Sequence, residues 1–330
     1  MNTNQPLAPA VIPPEYLPLK LRLMDGHKDE FAALRKQDAR LRLLEIFIFL
    51  GLWIAAATLT LAAPAFASGL VQIILQGIGI FFSGVALLTF FMQVHEGMHS
   101  ILFKNKLLND WVSWLFCLPF FLSYTASTVL HLRHHRYLGA QQDPDEYRFY
   151  AKTRLGLWLL YYGRLFVAPT IYIILIPVLG YRCGTTKQRI RILAELGSML
   201  SVYMLVFRAI PFPALLLAWL LPSIFTGFLI GLWGLAQHAM TDASDPLLAS
   251  RSVHANPVVS FCFINQNYHL EHHLFPEIPS YHLKRAFQIT WKQLPYALVA
   301  RSYSGFMLDF MLSSFKLEDR SIGYTELLGW

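Results

Sequence analysis

The stretch NQNYHLEHHLFP, residues 265–276, carries His269, His272 and His273 on one short segment. Neutral imidazole is a common metal ligand. Side chains three and four positions apart share one face of a helix, so these rings can converge on one point. The same spacing recurs in HLRHH, with His131, His134 and His135, and a looser form in HEGMH, with His95 and His99. His238 stands alone in LAQHAMTD, directly after an apolar run. A catalytic zinc site takes about three protein ligands; nine imidazoles exceed that by enough to imply two metal ions. Imidazole suits zinc, copper, iron and nickel alike, so ligand type alone leaves the metal open.

The elements that must position these rings are greasy. Of the 330 residues, 55% are hydrophobic and only 14% charged, against about 25% charged in an ordinary soluble domain. No Asp, Glu, Lys or Arg occurs from Ile46 to Val94 or from Ala209 to Gln237. A bilayer-spanning helix needs roughly 20 apolar residues. The first run therefore predicts two spans, about 44–63 and 70–94, turning near Pro64 and Gly69. Two more are expected at about 192–210 and 214–237, joined by IPFP and kinked at Pro222.

Lys20, Arg22, Lys28, Arg35, Lys36, Arg40 and Arg42 precede the first span, while its turn at 63–69 has no basic residue. The positive-inside tendency puts the N-terminus in the cytoplasm, and the second span returns there near His95. Arg182, Lys187, Arg189 and Arg191 mark Tyr181–Arg191 as cytoplasmic too, with Arg208 a departure near the outer turn. Leu107–Ser127 and Leu155–Gly180 are also apolar. If only one of them crossed, histidine groups would face opposite sides, so both read as re-entrant or interfacial. All nine histidines then lie on one side, just beyond the span ends. The net charge of +7 is a cytoplasmic face meeting anionic lipid. With no motif or aromatic interleaving among the basic residues, nucleic acid is not the expected partner.

The expected organisation is an all-α integral membrane protein with four transmembrane helices in two hairpins. A polar cytoplasmic arm is expected over 1–41, the membrane domain over 42–300 and a cytoplasmic tail over 301–330. His27, His254 and His282 are read as an arm residue, a loop residue and a structural residue. Cys117, Cys183 and Cys262 have no metal-like spacing and suit a reducing compartment. A nitrogen-rich metal pair, a membrane setting and no soluble-substrate signature together point to two iron ions activating O2 against a hydrocarbon.

At His95–His99, His131–His135 and His269–His273 the chain resembles the membrane fatty-acid desaturase and hydroxylase superfamily, whose signature is HxxxH, HxxHH and HxxHH in that order. NYHLEHHLFPEIPSYHL is similar to the third box of acyl-lipid desaturases, and AQHAMTD resembles a further ligand segment that would add His238. The resemblance covers about residues 42–290. It implies a helical cytoplasmic cap holding a di-iron centre, O2 as co-substrate, and desaturation of a fatty acyl chain in a membrane lipid. Fatty-acyl hydroxylation and carotenoid hydroxylation or ketolation are the alternatives on that scaffold. No HPGG haem motif occurs, so electrons are expected from a separate ferredoxin or cytochrome b5 type donor. No retrieval signal for the endoplasmic reticulum is seen, so a bacterial plasma membrane is the expected location.

Ligating imidazoles usually give their second nitrogen to a carboxylate or carbonyl. Glu96, Asp143, Asp145, Glu146 and Glu271 are the acidic candidates; Asn265 and Asn267 could hold water near the metals, Asn267 being preferred. Trp111, Trp114, Phe120 and Phe121 could line an acyl tunnel. HEGMH also fits the HExxH pattern of zinc proteases, with His95 and His99 on zinc and Glu96 as base, but that leaves both HxxHH groups unexplained. A metal transporter fits less well, because transport sites lie near the bilayer midplane.

Overall fold

The computed structural model describes residues 13–14, 16–242, 245, 247–294 and 297–315. Residues 1–12 of the expected arm and 316–330 of the expected tail lie outside them. The chain is helical almost throughout. Helices α1 (Tyr16–Met24) and α2 (Lys28–Leu34) precede α3 (Ala39–Ala62) and α4 (Gly69–Met98). Next come α5 (Lys106–Cys117), α6 (Tyr124–Tyr137), α7 (Arg154–Phe166), α8 (Ala168–Cys183) and α9 (Thr186–Ala209). A turn of helix, α10 (Phe212–Leu215), leads through a π-helical segment, Leu216–Leu220, into α11 (Leu221–His238). Beyond it lie β1 (Arg251–Val253), α12 (Pro257–Cys262), α13 (His269–Leu274), α14 (Ser280–Thr290), β2 (Leu298–Ala300) and α15 (Tyr303–Phe315).

Four helical segments are long and apolar enough to cross a membrane: Ala39–Ala65, Gly69–Met98, Thr186–Ala209 and Phe212–His238. Their number is the one expected, and each overlaps one of the apolar runs read from the sequence. Leu107–Ser127 forms no straight span, because α5 and α6 are bent by 99° at a short break. Pro119 lies there, and Phe121 turns left-handed with φ 57°. Leu155–Gly180 is divided between α7 and α8.

The chain separates into two compact units. The first comprises Gln37–Leu130 and Phe166–Ile230. Asp38 starts α3 by accepting from the Arg40 and Leu41 amides, and a reciprocal Thr185–Gln188 capping box starts α9. Apolar side chains such as Phe47 and Leu70 stand exposed on α3 and α4, as lipid-facing positions should. The opposite faces bury Phe49, Ala86, Leu87 and Phe90. Pro222 removes the amide that would have reached the Ala218 carbonyl. That carbonyl instead accepts from the Trp53 indole at 3.3 Å.

The second unit comprises the described parts of Leu7–Lys36 and Gly231–Trp330, together with His131–Leu165. Its larger core gathers Leu23, Phe31, Leu274, Phe275, Ile278 and Leu283. The helices α1 and α2 are therefore packed elements. The Phe31 and Phe275 rings pack with centroids 4.6 Å apart, tilted by 33°, and Lys20 and Arg35 both pair with Glu277. β1 and β2 form a short parallel pair, with Arg251 opposite Leu298.

Candidate metal centre

Within the second unit, three elements deliver seven imidazoles. The C-terminal half of α6 presents His131, His134 and His135. α11 ends on His238, and α13 presents His269, His272 and His273. Donor atoms of His131, His135 and His272 lie within 4.8 Å of one another, and those of His134, His238 and His273 do the same. His269 joins the latter set, its Nε2 lying 2.8 Å from that of His238 and 3.0 Å from that of His273. His272 and His135 approach at 3.1 Å, again Nε2 to Nε2.

That donor set fits a cation. Two facing imidazole nitrogens can share at most one proton, and His269 Nε2 faces two at once. A metal–imidazole bond of about 2.1 Å sets neighbouring donors on one ion roughly 3 Å apart, close to the separations observed. The Nε2 atom of His134 is buried without a hydrogen-bond partner. Its Nδ1 faces Asp143, at 2.9 and 3.1 Å from the two carboxylate oxygens. Burial opposes a charge on His134, but Asp143 more than offsets it and holds the group above its ordinary pKa.

In the first unit, His95 and His99 close α4, with ring centroids 5.4 Å apart and donor atoms within 4.8 Å. Gly97 between them is required by packing. A Cβ there would collide with the Ser113 hydroxyl of α5. The Gly97 carbonyl accepts from Tyr124 Oη at 2.6 Å and Asn109 Nδ2 at 3.0 Å.

The remaining expected site residues take varied partners. Asp143 orients His134 and accepts from the Gly139 and Asp145 amides. Asp145 pairs with Arg164 at 3.0 Å; burial raises its carboxyl, yet Arg164 and His134 bring it below its usual range. Glu146 pairs with Arg148. Glu96 is wholly buried and accepts from Arg42, itself buried, at 2.6 Å. That guanidinium leaves Glu96 poorly suited to the base role that the zinc-protease reading gives it. Asn267 donates to the Val253 carbonyl, and Glu271 accepts from Ser252 Oγ at 2.6 Å. Burial pushes the Glu271 carboxyl up to about 7 against the pull of that bond. Asn265 adopts a left-handed backbone, φ 62°, in the turn before α13.

Trp111 and Trp114 line a cavity of about 400 Å³ in the first unit, with Leu107, Ala194 and Ser198. Phe121 stacks on Trp219, and Phe120 packs in the apolar core. His27 lies beside Glu30, His254 packs on Phe287 and Trp291, and His282 on Tyr281. Arg251 and Ser252 were not anticipated from the sequence. They contact the backbone around His238 and His269, and nothing in their spacing signals it.

Four helical segments apolar enough to cross a membrane, together with buried groups of histidines able to hold metal ions, are the features of a histidine-box membrane protein. The sequence model of the fatty acid desaturase family matches residues 72–305, and the chain belongs to that family. It is an oxidoreductase of the desaturase type. Among curated relatives, an sn-1 oleoyl-lipid 12-desaturase of Anabaena variabilis is 23% identical over 277 residues, covering 74% of this chain and 77% of that one. A sphingolipid delta(4)-desaturase/C4-monooxygenase of Homo sapiens is 26% identical over 202 residues, 58% of each chain. A second sn-1 oleoyl-lipid 12-desaturase, from Arthrospira platensis, is 24% identical over 233 residues, 62% of this chain and 64% of that one.

Proposed function

We propose that this chain carries out O2-dependent oxidation of an unactivated C–H bond in a membrane lipid, in the first instance desaturation of a fatty acyl chain. Two iron ions would be held by His95, His99, His131, His134, His135, His238, His269, His272 and His273. The observation that supports this most is the division of the second unit's imidazoles into two donor groups, His131–His135–His272 and His134–His238–His273. The order of the boxes and the family assignment extend the ligand set to His95 and His99.

When bound, the iron pair supplies the O2 activation that removal of hydrogen from a CH2 group requires. The protein's own contribution is placement and exclusion of water. Asp143 favours a proton on His134 Nδ1, which leaves Nε2 as the donor. His269, His272 and His273 are almost wholly buried, so bulk water is kept from their nitrogens. The acyl chain arrives from the bilayer between apolar spans. Loss of two hydrogens gives C=C, whereas return of one oxygen gives an alcohol, and the position of the carbon decides between them. Electrons come from a separate ferredoxin or cytochrome b5 type protein. The centre lies on the cytoplasmic side of a bacterial plasma membrane.

A second reading, acyl hydroxylation, draws support from the human relative, whose name joins a desaturase to a C4-monooxygenase. Gas chromatography–mass spectrometry of lipids from a host expressing the chain separates the two. A new double bond absent from the His272→Ala control is the expected result. A new hydroxyl group in its place moves the assignment to hydroxylation. An unchanged acyl profile, with iron bound and a donor supplied, overturns both.

A further inference from the structure

We propose that β1 is the bracket that sets His238 against α13, and that Arg251 and Ser252 are positioning residues for the metal held by His134, His238 and His273. The inference rests on the two-metal reading above.

Three consecutive residues of β1 reach the two ligand-bearing segments. Arg251 is buried, and its Nη1 donates to the Ala236 carbonyl at 2.8 Å and to that of Ala239 at 2.9 Å. Its Nη2 donates to the Met240 carbonyl at 3.0 Å. These carbonyls belong to the last turn of α11 and the residues just past His238, where no intrahelical amide is available. A cation is also favoured at a helix C-terminus. Met240 has φ 56°, a left-handed conformation that a side chain adopts only where its surroundings hold it. Arg251 does so, and thereby fixes the path of the chain at His238.

Ser252 acts on the other segment. Its Oγ accepts from the Leu270 amide at 3.1 Å and donates to Glu271 Oε2 at 2.6 Å. Leu270 lies in the first turn of α13, whose own N-cap residue, Tyr268, makes no side-chain cap. Ser252 therefore caps the third-box helix from a distant segment. Val253 completes the bracket, its amide donating to the Asn267 carbonyl at 2.8 Å while Asn267 Nδ2 returns a bond to the Val253 carbonyl. The Gln266 carbonyl also accepts from Trp233 and Gln237 of α11, so losing one β1 side chain leaves α11 and α13 still joined.

The two side chains differ in what they govern. The Arg251 guanidinium donates to the carbonyls at the His238 end and lies over the Phe306 ring, so its loss bears first on the His134–His238–His273 group. Ser252 holds α13, which supplies His272 to one group and His273 to the other.

Titration of metal-free, detergent-solubilised chain with cobalt(II) tests this without recourse to turnover. The ligand-field absorption bands report the environment of each ion. The parent chain takes two cobalt ions. Arg251→Met retains one at parental affinity and binds the other at least about tenfold more weakly, the usual cost of losing an outer partner. Arg251→Lys recovers part of that loss. Ser252→Ala weakens and spectrally alters both ions, and Ser252→Thr, which keeps the hydroxyl, restores them. Should Arg251→Met fail to accumulate folded, the Ser252 pair carries the test by itself. Parental affinity and spectra in Ser252→Ala overturn the inference. A parent chain that binds no cobalt overturns the two-metal reading and the inference with it.

Discussion

His134 can offer Nε2 to a metal only while its proton sits on Nδ1, and Asp143 is the group that keeps it there, 2.9 Å away. Replacing Asp143 with Asn leaves an oxygen able to accept from Nδ1 but removes the charge that makes the imidazole a better donor. Asp143→Ala removes both. Metal affinity should fall by about 10- to 100-fold in the Ala variant, with Asn between it and the parent. Chelator competition with ferrous iron measures this, with far-ultraviolet circular dichroism confirming that the helices persist. Parental affinity in Asp143→Ala would mean that the carboxylate only shapes the Gly139–Asp145 loop. The contrast with Glu96 and Glu271 has a geometric cause. Adjacent residues on a helix point about 100° apart, so a carboxylate next to a ligand in sequence faces away from what the ligand faces. Glu96 turns to Arg42 and Glu271 to Ser252. Asp143 lies in a loop beyond α6 and can fold back onto it.

At the scale of elements, the end of α11 is held from its flank as well as by Arg251. Gly231 lets α7 approach closely. A Cβ at that position would lie 2.7 Å from the Arg164 carbonyl oxygen and 3.1 Å from Leu165 Cα, both main-chain atoms. Backbone cannot swing aside as a side chain can, so Gly231→Ala should destabilise by about 1–3 kcal/mol through overpacking. The midpoint of thermal unfolding in detergent reports it. Gly197→Ala is the control, because nothing lies within 4 Å of a Cβ there; an equal response in both variants would show that α7 yields. The elements differ in how far the sequence announces them. Spans and histidine boxes were legible because charge-free runs and i, i+3, i+4 spacing are local signals. β1, a strand of three residues, carries no periodicity, and its partners are fixed only by tertiary packing. The kink expected at Pro222 takes the form of a π-helical segment before it, with a tryptophan supplied from α3, which no local pattern encodes.

For the whole molecule the deciding quantity is the number of crossings. On the proposed four-span topology the chain would return to its starting side after α4 and again after α11, and all three boxes and His238 would share one face of the membrane. The bent α5–α6 pair would add a fifth span if it crossed, leaving His95 and His99 across the bilayer from the other seven. No shared di-iron centre could then form. Single-cysteine variants in a chain lacking Cys117, Cys183 and Cys262 resolve the parity. Ser68, Lys187 and Lys284 are all exposed positions, in the α3–α4 turn, at the start of α9 and on α14. With a membrane-impermeant maleimide, Ser68→Cys should label in intact cells. Lys187→Cys and Lys284→Cys should label only after permeabilisation, as the basic residues at the start of α9 require. Labelling of both lysine positions in intact cells would establish the fifth crossing and remove His95 and His99 from the ligand set.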